Sequence, residues 1–254
     1  MRERDFFKVI ILNGRPASGK SEVIDFLKKV PPEERLERFH IAEIDEIDDF
    51  PMIWTWFEED MILEKVLGKP RIHTDKDGYF LHEYQWHLLI ERISLEYAKR
   101  LKDIPNYEQR YTALVEFSRG TEHGGYIEAY KHLSEEILRK AAIFYIDVSF
   151  EESLRKNRKR FNPDKPHSIL EHSLPDEKLR RLYYEVDWDE FTKGCKDYVS
   201  IKGIKVPFVV FHNEPDITDK PDLLSSKLEE LFGKLWRLYR AGLQETTSNV
   251  AVYT

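Results

Sequence analysis

At 254 residues, 41% hydrophobic and 34% charged, the chain is long enough for one α/β domain with an inserted subdomain and too rich in apolar residues to be disordered. A formal net charge of −7 argues against a dedicated nucleic-acid binder, which needs a basic face, and no apolar run approaches the length of a membrane-spanning helix. Cys195 is the single cysteine, so no internal disulfide can form, and Met1–Asp5 lead straight into an apolar strand with no room for a signal peptide; both readings predict a reducing, cytoplasmic setting.

The first predicted element is a buried parallel strand over Phe7–Leu12, followed by an amphipathic helix over Ser21–Lys29. Between them Gly14-Arg15-Pro16-Ala17-Ser18-Gly19-Lys20-Ser21 matches the phosphate-binding pattern G-x-x-x-x-G-K-[ST], the Walker A loop, at every specified position. The two glycines let successive backbone N–H groups face one concavity, and the helix that follows adds its positive end there. Lys20 is expected to reach the β- and γ-phosphates and Ser21 to ligate Mg²⁺, which makes this a nucleoside triphosphate site. The helix stops at Pro31-Pro32.

Further along, apolar β-type segments at about 39–44, 111–117, 143–148 and 206–211 join the first at 7–13 and alternate with helical stretches. The alternation predicts one α/β domain over 1–254, a three-layer arrangement in which a five-stranded parallel sheet carries helices on both faces. Residues 51–110, between the second and third strands, are too long for a simple crossover. They hold an aromatic helix around Ile53–Phe57, a turn at Asp75–Gly78, and a long helix from about Leu81 to Leu101. On that helix Trp86, Leu89, Ile90, Ile93, Tyr97 and Leu101 share one packing face. Asp75-x-Asp77-Gly78 lacks the downstream ligands of a calcium loop and reads as a turn. The polar tail, 242–254, has no periodicity and is expected to be loosely ordered.

Charge at the predicted strand ends supplies the remaining candidates. Glu116 lies inside an apolar strand, where a carboxylate is costly unless paired or metal-linked. Arg155 and Arg158 share a helical face after the fourth strand. The nine histidines contain no H-E-x-x-H, one cysteine excludes a Cys/His zinc cluster, and no G-x-S-x-G elbow is present, so metal use is expected to be Mg²⁺ on nucleotide phosphates.

On the phosphate loop and four further stretches, the chain resembles the nucleoside and nucleotide kinase-like group of P-loop phosphotransferases over about residues 7–235. The resemblance implies a P-loop NTPase fold with ATP and Mg²⁺ as cofactors. It implies an acidic residue facing the acceptor at the second strand's end: Asp45 lies nearer that end, and Asp48-Asp49-Phe50 is similar to uridine kinase and its relatives. Glu116 falls at the Walker-B position, where it would position Mg²⁺, and Arg119 would clamp an acceptor anion or neutralise Glu116. The resemblance implies a lid at 155–176, with Arg155, Arg158 or Arg160 on the transferring phosphoryl group and Asn162–Pro175 as the moving loop. It implies an adenine-holding loop at Asn213. The chain lacks the acceptor motifs of shikimate, gluconate and thymidylate kinases, so the expected activity is ATP- and Mg²⁺-dependent phosphoryl transfer to a small molecule: a nucleoside, a nucleotide or another hydroxyl or phosphate compound. Two alternatives stand beside it. A polynucleotide end kinase would use the basic run at Arg155–Arg160 but is disfavoured by the acidic total, and a nucleotide-dependent switch would order a loop for a partner, the absence of a guanine-reading N-K-x-D disfavouring a GTPase.

Overall fold

The computed structural model describes residues 5–160 and 174–250, the last eight by backbone alone. Its strands are Val9–Gly14 (β1), Glu43–Asp48 (β2), Tyr111–Phe117 (β3), Ala141–Asp147 (β4), Tyr198–Ile201 (β5) and Ile204–His212 (β6). They form one sheet in the order β2-β3-β1-β4-β6-β5. The strands β1, β3 and β4 are apolar along nearly their whole length, and such runs are stable only with both sheet faces covered. All pairings are parallel except β5 with β6.

Two expectations about the sheet are corrected. It has six strands rather than five, because β5 folds back on β6 through Lys202-Gly203, both at positive φ (51° and 77°), as a tight two-residue hairpin turn requires. The second strand begins at Glu43 rather than near 39, because a helix over Pro32–Phe39 occupies the preceding residues and His40 closes it in a left-handed conformation. As an edge strand with polar residues at Glu43, Asp45 and Glu46, β2 does not look like an apolar run.

The helices are Lys20–Lys29 (α1), Pro32–Phe39 (α2), Phe50–Lys65 (α3), Tyr84–Asp103 (α4), Tyr107–Arg110 (α5), Gly125–His132 (α6), Glu135–Leu138 (α7), Phe150–Arg160 (α8), Asp176–Tyr183 (α9), Trp188–Phe191 (α10) and Pro221–Val250 (α11). Alternate residues of each strand supply two cores. Ile10 and Leu12 pack with Val23, Leu27, Phe39 and Phe232 from α1, α2 and α11. Val9 and Ile11 face Ile93, Tyr97, Tyr126 and Trp188 from α4, α6 and α10, with Trp188 stacked on Tyr145 at 3.9 Å between centroids. On α4 the expected face is buried from Trp86 to Tyr97, with Leu101 partly buried against the same core.

A third cluster lies beyond the carboxyl ends of the strands. Trp86 and Leu89 from the insert meet Phe150, Leu179, Leu182 and Tyr183 from α8 and α9, with Trp56, Tyr79 and Phe80 against them. The insert is also fixed by Asp60, fully buried on α3. Its carboxylate accepts from the backbone of Ile72 (2.7 Å), His73 (3.1 Å) and Thr74 (2.7 Å) and from the Thr74 hydroxyl (2.7 Å). Asp75 caps the expected turn, accepting from Asp77 and Tyr79. The lid expectation falls largely on residues 161–173, outside the described residues. The tail expectation is corrected in part: α11 carries regular helix to Val250. Among the described residues no helix is long and apolar enough to cross a membrane.

Candidate nucleotide and acceptor site

The phosphate loop turns sharply between β1 and α1 on glycine conformations. Gly14 has φ 152° and Gly19 φ 115°, and a Cβ at Gly14 would stand 2.5 Å from the Ile146 carbonyl oxygen. The chain behind the loop clamps it. The Tyr126 hydroxyl bonds both the N–H and the carbonyl of Gly14 (3.1 and 3.2 Å), Ser153 donates to the Pro16 carbonyl (2.7 Å), and the Asn213 amide donates to the Ser18 carbonyl (3.0 Å). Lys20 Nζ, nearly buried, donates to the carbonyls of Gly14 (3.3 Å) and Arg15 (3.0 Å) and to Ser118 Oγ (2.9 Å).

Acidic residues converge on that lysine. Asp48 ends β2 and Glu116 lies directly across from it on β3. Glu116 Oε1 is 3.8 Å from Lys20 Nζ. Burial lowers the Lys20 ammonium, against the pull of Glu116, Asp48 and Asp49. Burial pushes the Asp48 carboxyl up to about 8, reinforced by Glu116 and Asp49. Burial likewise raises Glu116, opposed by Lys20, and raises Asp49, opposed by Arg119. So dense a set of buried carboxylates beside one lysine calls for a further positive charge. The hydroxyl of Ser21 and the oxygens of Asp48 and Glu116 border one cavity and are the hard donors that suit Mg²⁺.

The cavity, about 240 Å³, runs from the phosphate loop toward the insert and α9. Its far wall is aromatic and basic: Phe57, Tyr79 and Trp86 stand beside Arg119, Lys178 and Arg181. Arg119 is buried in a 2.6 Å ion pair with Asp49 and lies over the Trp86 ring. Its partner is thus Asp49, not Glu116. His123, stacked on Trp86 at 4.4 Å, also borders the cavity; burial lowers its imidazole to about 4.

Of the residues expected at the site, Pro16, Ala17, Gly19, Lys20, Ser21, Glu116 and Arg119 border the cavity. Others do not. Asp45 sits three residues before the strand end and accepts from Arg100 Nε and the Tyr107 hydroxyl, both at 2.6 Å. Arg15 donates to the carbonyls of Val148 (2.9 Å), Tyr183 (3.2 Å) and Tyr184 (3.2 Å) and so braces the loop. Arg155 pairs with Glu152 and Arg158 with Asp176, both on the exposed side of α8. The cavity side of that helix carries Arg160, one of the three expected arginines, and Lys156, four residues before it, a spacing that marks the lysine as its neighbour on that face. Asn213, fully buried, holds Ser18 and accepts from the Ile217 N–H, so its amide fixes the loop. The aromatic wall and Lys178 were missed, since nothing in the local sequence relates α9 to the insert.

No protein-family model and no curated protein matches the chain. Solved structures that match the chain over most of its length include Kti12 from Chaetomium thermophilum in complex with ADP-AlF3, at 11% identity over 90% of this chain and 97% of that one, with a TM-score of 0.48. Shikimate kinase from Acinetobacter baumannii in complex with shikimate is 15% identical over 89% and 94%, with a TM-score of 0.41. A sugar kinase from Janibacter sp. is 9% identical over 89% and 95%, also with a TM-score of 0.41. In this chain the Walker A loop joins β1, at the middle of the mostly parallel sheet, to α1.

Proposed function

We propose that the protein transfers the γ-phosphoryl group of ATP to a small-molecule acceptor seated in the cavity between the phosphate loop and the insert. The observation that carries this reading is the convergence of Lys20, Glu116 and Asp48 at one end of a cavity whose other end is aromatic and basic. The phosphate-loop backbone and Lys20 hold the β- and γ-phosphates. Ser21 and Glu116 would hold Mg²⁺, which would supply charge neutralisation to the phosphates. An acceptor oxygen attacks γ-phosphorus, the bond to the β-γ bridging oxygen breaks, and ADP leaves. The acceptor's proton passes to Asp48. Asp45 faces other partners, Asp49 is tied to Arg119 and Glu116 faces Lys20, so Asp48 is the carboxylate best disposed to accept that proton. Lys156 and Arg160 stabilise the transferring group from α8.

The test is Mg²⁺-dependent ADP release from ATP against nucleosides, nucleoside monophosphates, sugars and short oligonucleotides. A jump of at least tenfold with one acceptor class supports the kinase reading. Acceptor-independent turnover across the panel with tight ATP binding overturns it in favour of a nucleotide-dependent switch, and a salt-sensitive response to oligonucleotides alone favours a polynucleotide end kinase.

A further inference from the structure

The insert helix α4 packs on α6, and three side chains from the two helices meet. His87 comes from α4; Glu128 and His132 come from α6, one helical turn apart. One possible ligand atom from each lies within 4.8 Å of the other two. His132 Nε2 and Glu128 Oε1 are 3.6 Å apart. Around a tetrahedral ion with bonds near 2.1 Å, ligand atoms stand about 3.4 Å apart, so this pair already has the spacing of two ligands on one ion. The rings of His87 and His132 are stacked, with centroids 4.4 Å apart and planes inclined at 18°. Small rotations of half-buried side chains complete the set.

The groups behind these three point the same way. The other ring nitrogen of His132, Nδ1, lies 3.1 Å from Glu91 on α4. A carboxylate on that atom fixes the tautomer that leaves Nε2 as a lone-pair donor, the arrangement found behind metal-bound histidines. The second oxygen of Glu128 accepts from Lys131 at 2.7 Å, which orients the first toward His132.

We propose that His87, Glu128 and His132 form a binding site for a divalent transition metal of the zinc and cobalt class, with Glu91 as the outer carboxylate that orients His132. Two imidazoles and one carboxylate select such ions over Mg²⁺ and Ca²⁺, which prefer all-oxygen sets. Water fills the remaining positions. The ion clips α4 of the insert to α6 of the main domain. His87 is adjacent to Trp86, whose carbonyl accepts from Arg119 and whose ring borders the cavity, so the clip anchors the segment that forms the cavity wall.

The experiment is calorimetric titration of the full chain with Zn²⁺ in excess Mg²⁺, so that oxygen-rich sites are already filled, together with visible absorption of the Co²⁺-loaded protein. One equivalent of Zn²⁺ is expected to bind and to raise the unfolding midpoint. His87→Ala and His132→Ala should each abolish that equivalent and the Co²⁺ spectrum, and Glu91→Gln should weaken binding about tenfold. Absence of Zn²⁺ binding by the unaltered chain, or binding unchanged in both histidine variants, overturns the proposal. Circular dichroism of each variant without metal checks the fold. If either alanine variant unfolds, Glu91→Gln decides: weakened binding sustains the site and unchanged binding overturns it.

Discussion

The two ends of the cavity are built by different means. At the phosphate end, eight consecutive residues set the shape through their backbone, and hydrogen bonds with the side chains of Tyr126, Ser153 and Asn213 lock it from behind. At the acceptor end, no segment has a shape of its own. Side chains from α3, the 74–80 turn, α4 and α9 combine into a third core, and one buried carboxylate, Asp60, holds the insert's loop in place. The contrast teaches that a site for a universal group can be written in a short stretch of chain, whereas a site for a particular acceptor is distributed over many.

The sharpest way to break the comparison is Lys20→Ala. Turnover should fall about a thousandfold in steady-state ADP release, with circular dichroism unchanged, because the lysine acts on the phosphates and its loss vacates no core. Retained activity in the folded variant would remove the phosphate end from the mechanism. Next is Asp60→Ala, which strips acceptors from three backbone N–H groups and should cost about 3 kcal/mol in urea unfolding at neutral pH. The pH dependence has a definite sign. Burial alone would raise the Asp60 carboxyl, but the bonds from Thr74, Ile72 and His73 outweigh it and hold the group below its ordinary value. Its contribution is therefore complete above the unfolded pKa, near 3.9, and is lost as pH falls through the lower folded one. The variant should lose less stability than the parent across that acid window, and equal losses would show that the network does not hold the insert.

Asp48→Asn should lower turnover about a hundredfold while changing nucleotide affinity, read by calorimetry, by less than about threefold. An equal loss in both would place Asp48 in binding rather than proton transfer. The smallest effect is expected at Asn213→Ala. Losing the bond to the Ser18 carbonyl should cost about 1 kcal/mol of stability and raise KM for ATP a few-fold with kcat nearly unchanged, as befits a residue that only steadies the loop. A large fall in kcat would instead mean that loop rigidity enters the chemical step.

The same contrast governs what could be read from the sequence. The phosphate loop, its flanking strand and helix, the central strands and the packing face of α4 were legible because local periodicity and a dense motif specify them. Glu116 was legible as a charge in an apolar run. The edge strand β2 was misplaced, since its one exposed face breaks the apolar pattern, and with it Asp45 was brought to a site from which Arg100 and Tyr107 hold it away. The hairpin was overlooked although Lys202-Gly203 between alternating segments marks it. On α8 charge alone does not separate Arg155, Arg158 and Arg160; the helical turn does, placing Arg160 with Lys156 on the cavity and leaving the other two exposed. The aromatic wall depends on a cluster that joins Trp86 to Leu182, residues nearly a hundred positions apart, which no local pattern encodes.

Arg15, spent entirely on three carbonyls, gives the two ends a shared hinge pin. Its own backbone belongs to the phosphate loop, while its guanidinium grips the end of α9 at Tyr183 and Tyr184 and the exit of β4 at Val148. A displacement of α9 therefore strains the cradle for phosphate, and filling the cradle stiffens α9. Coupling of this kind is reciprocal: whatever free energy an acceptor gains from nucleotide already in place, nucleotide gains from acceptor. On the proposed reaction, nucleotide and acceptor would sense each other through a side chain that borders neither.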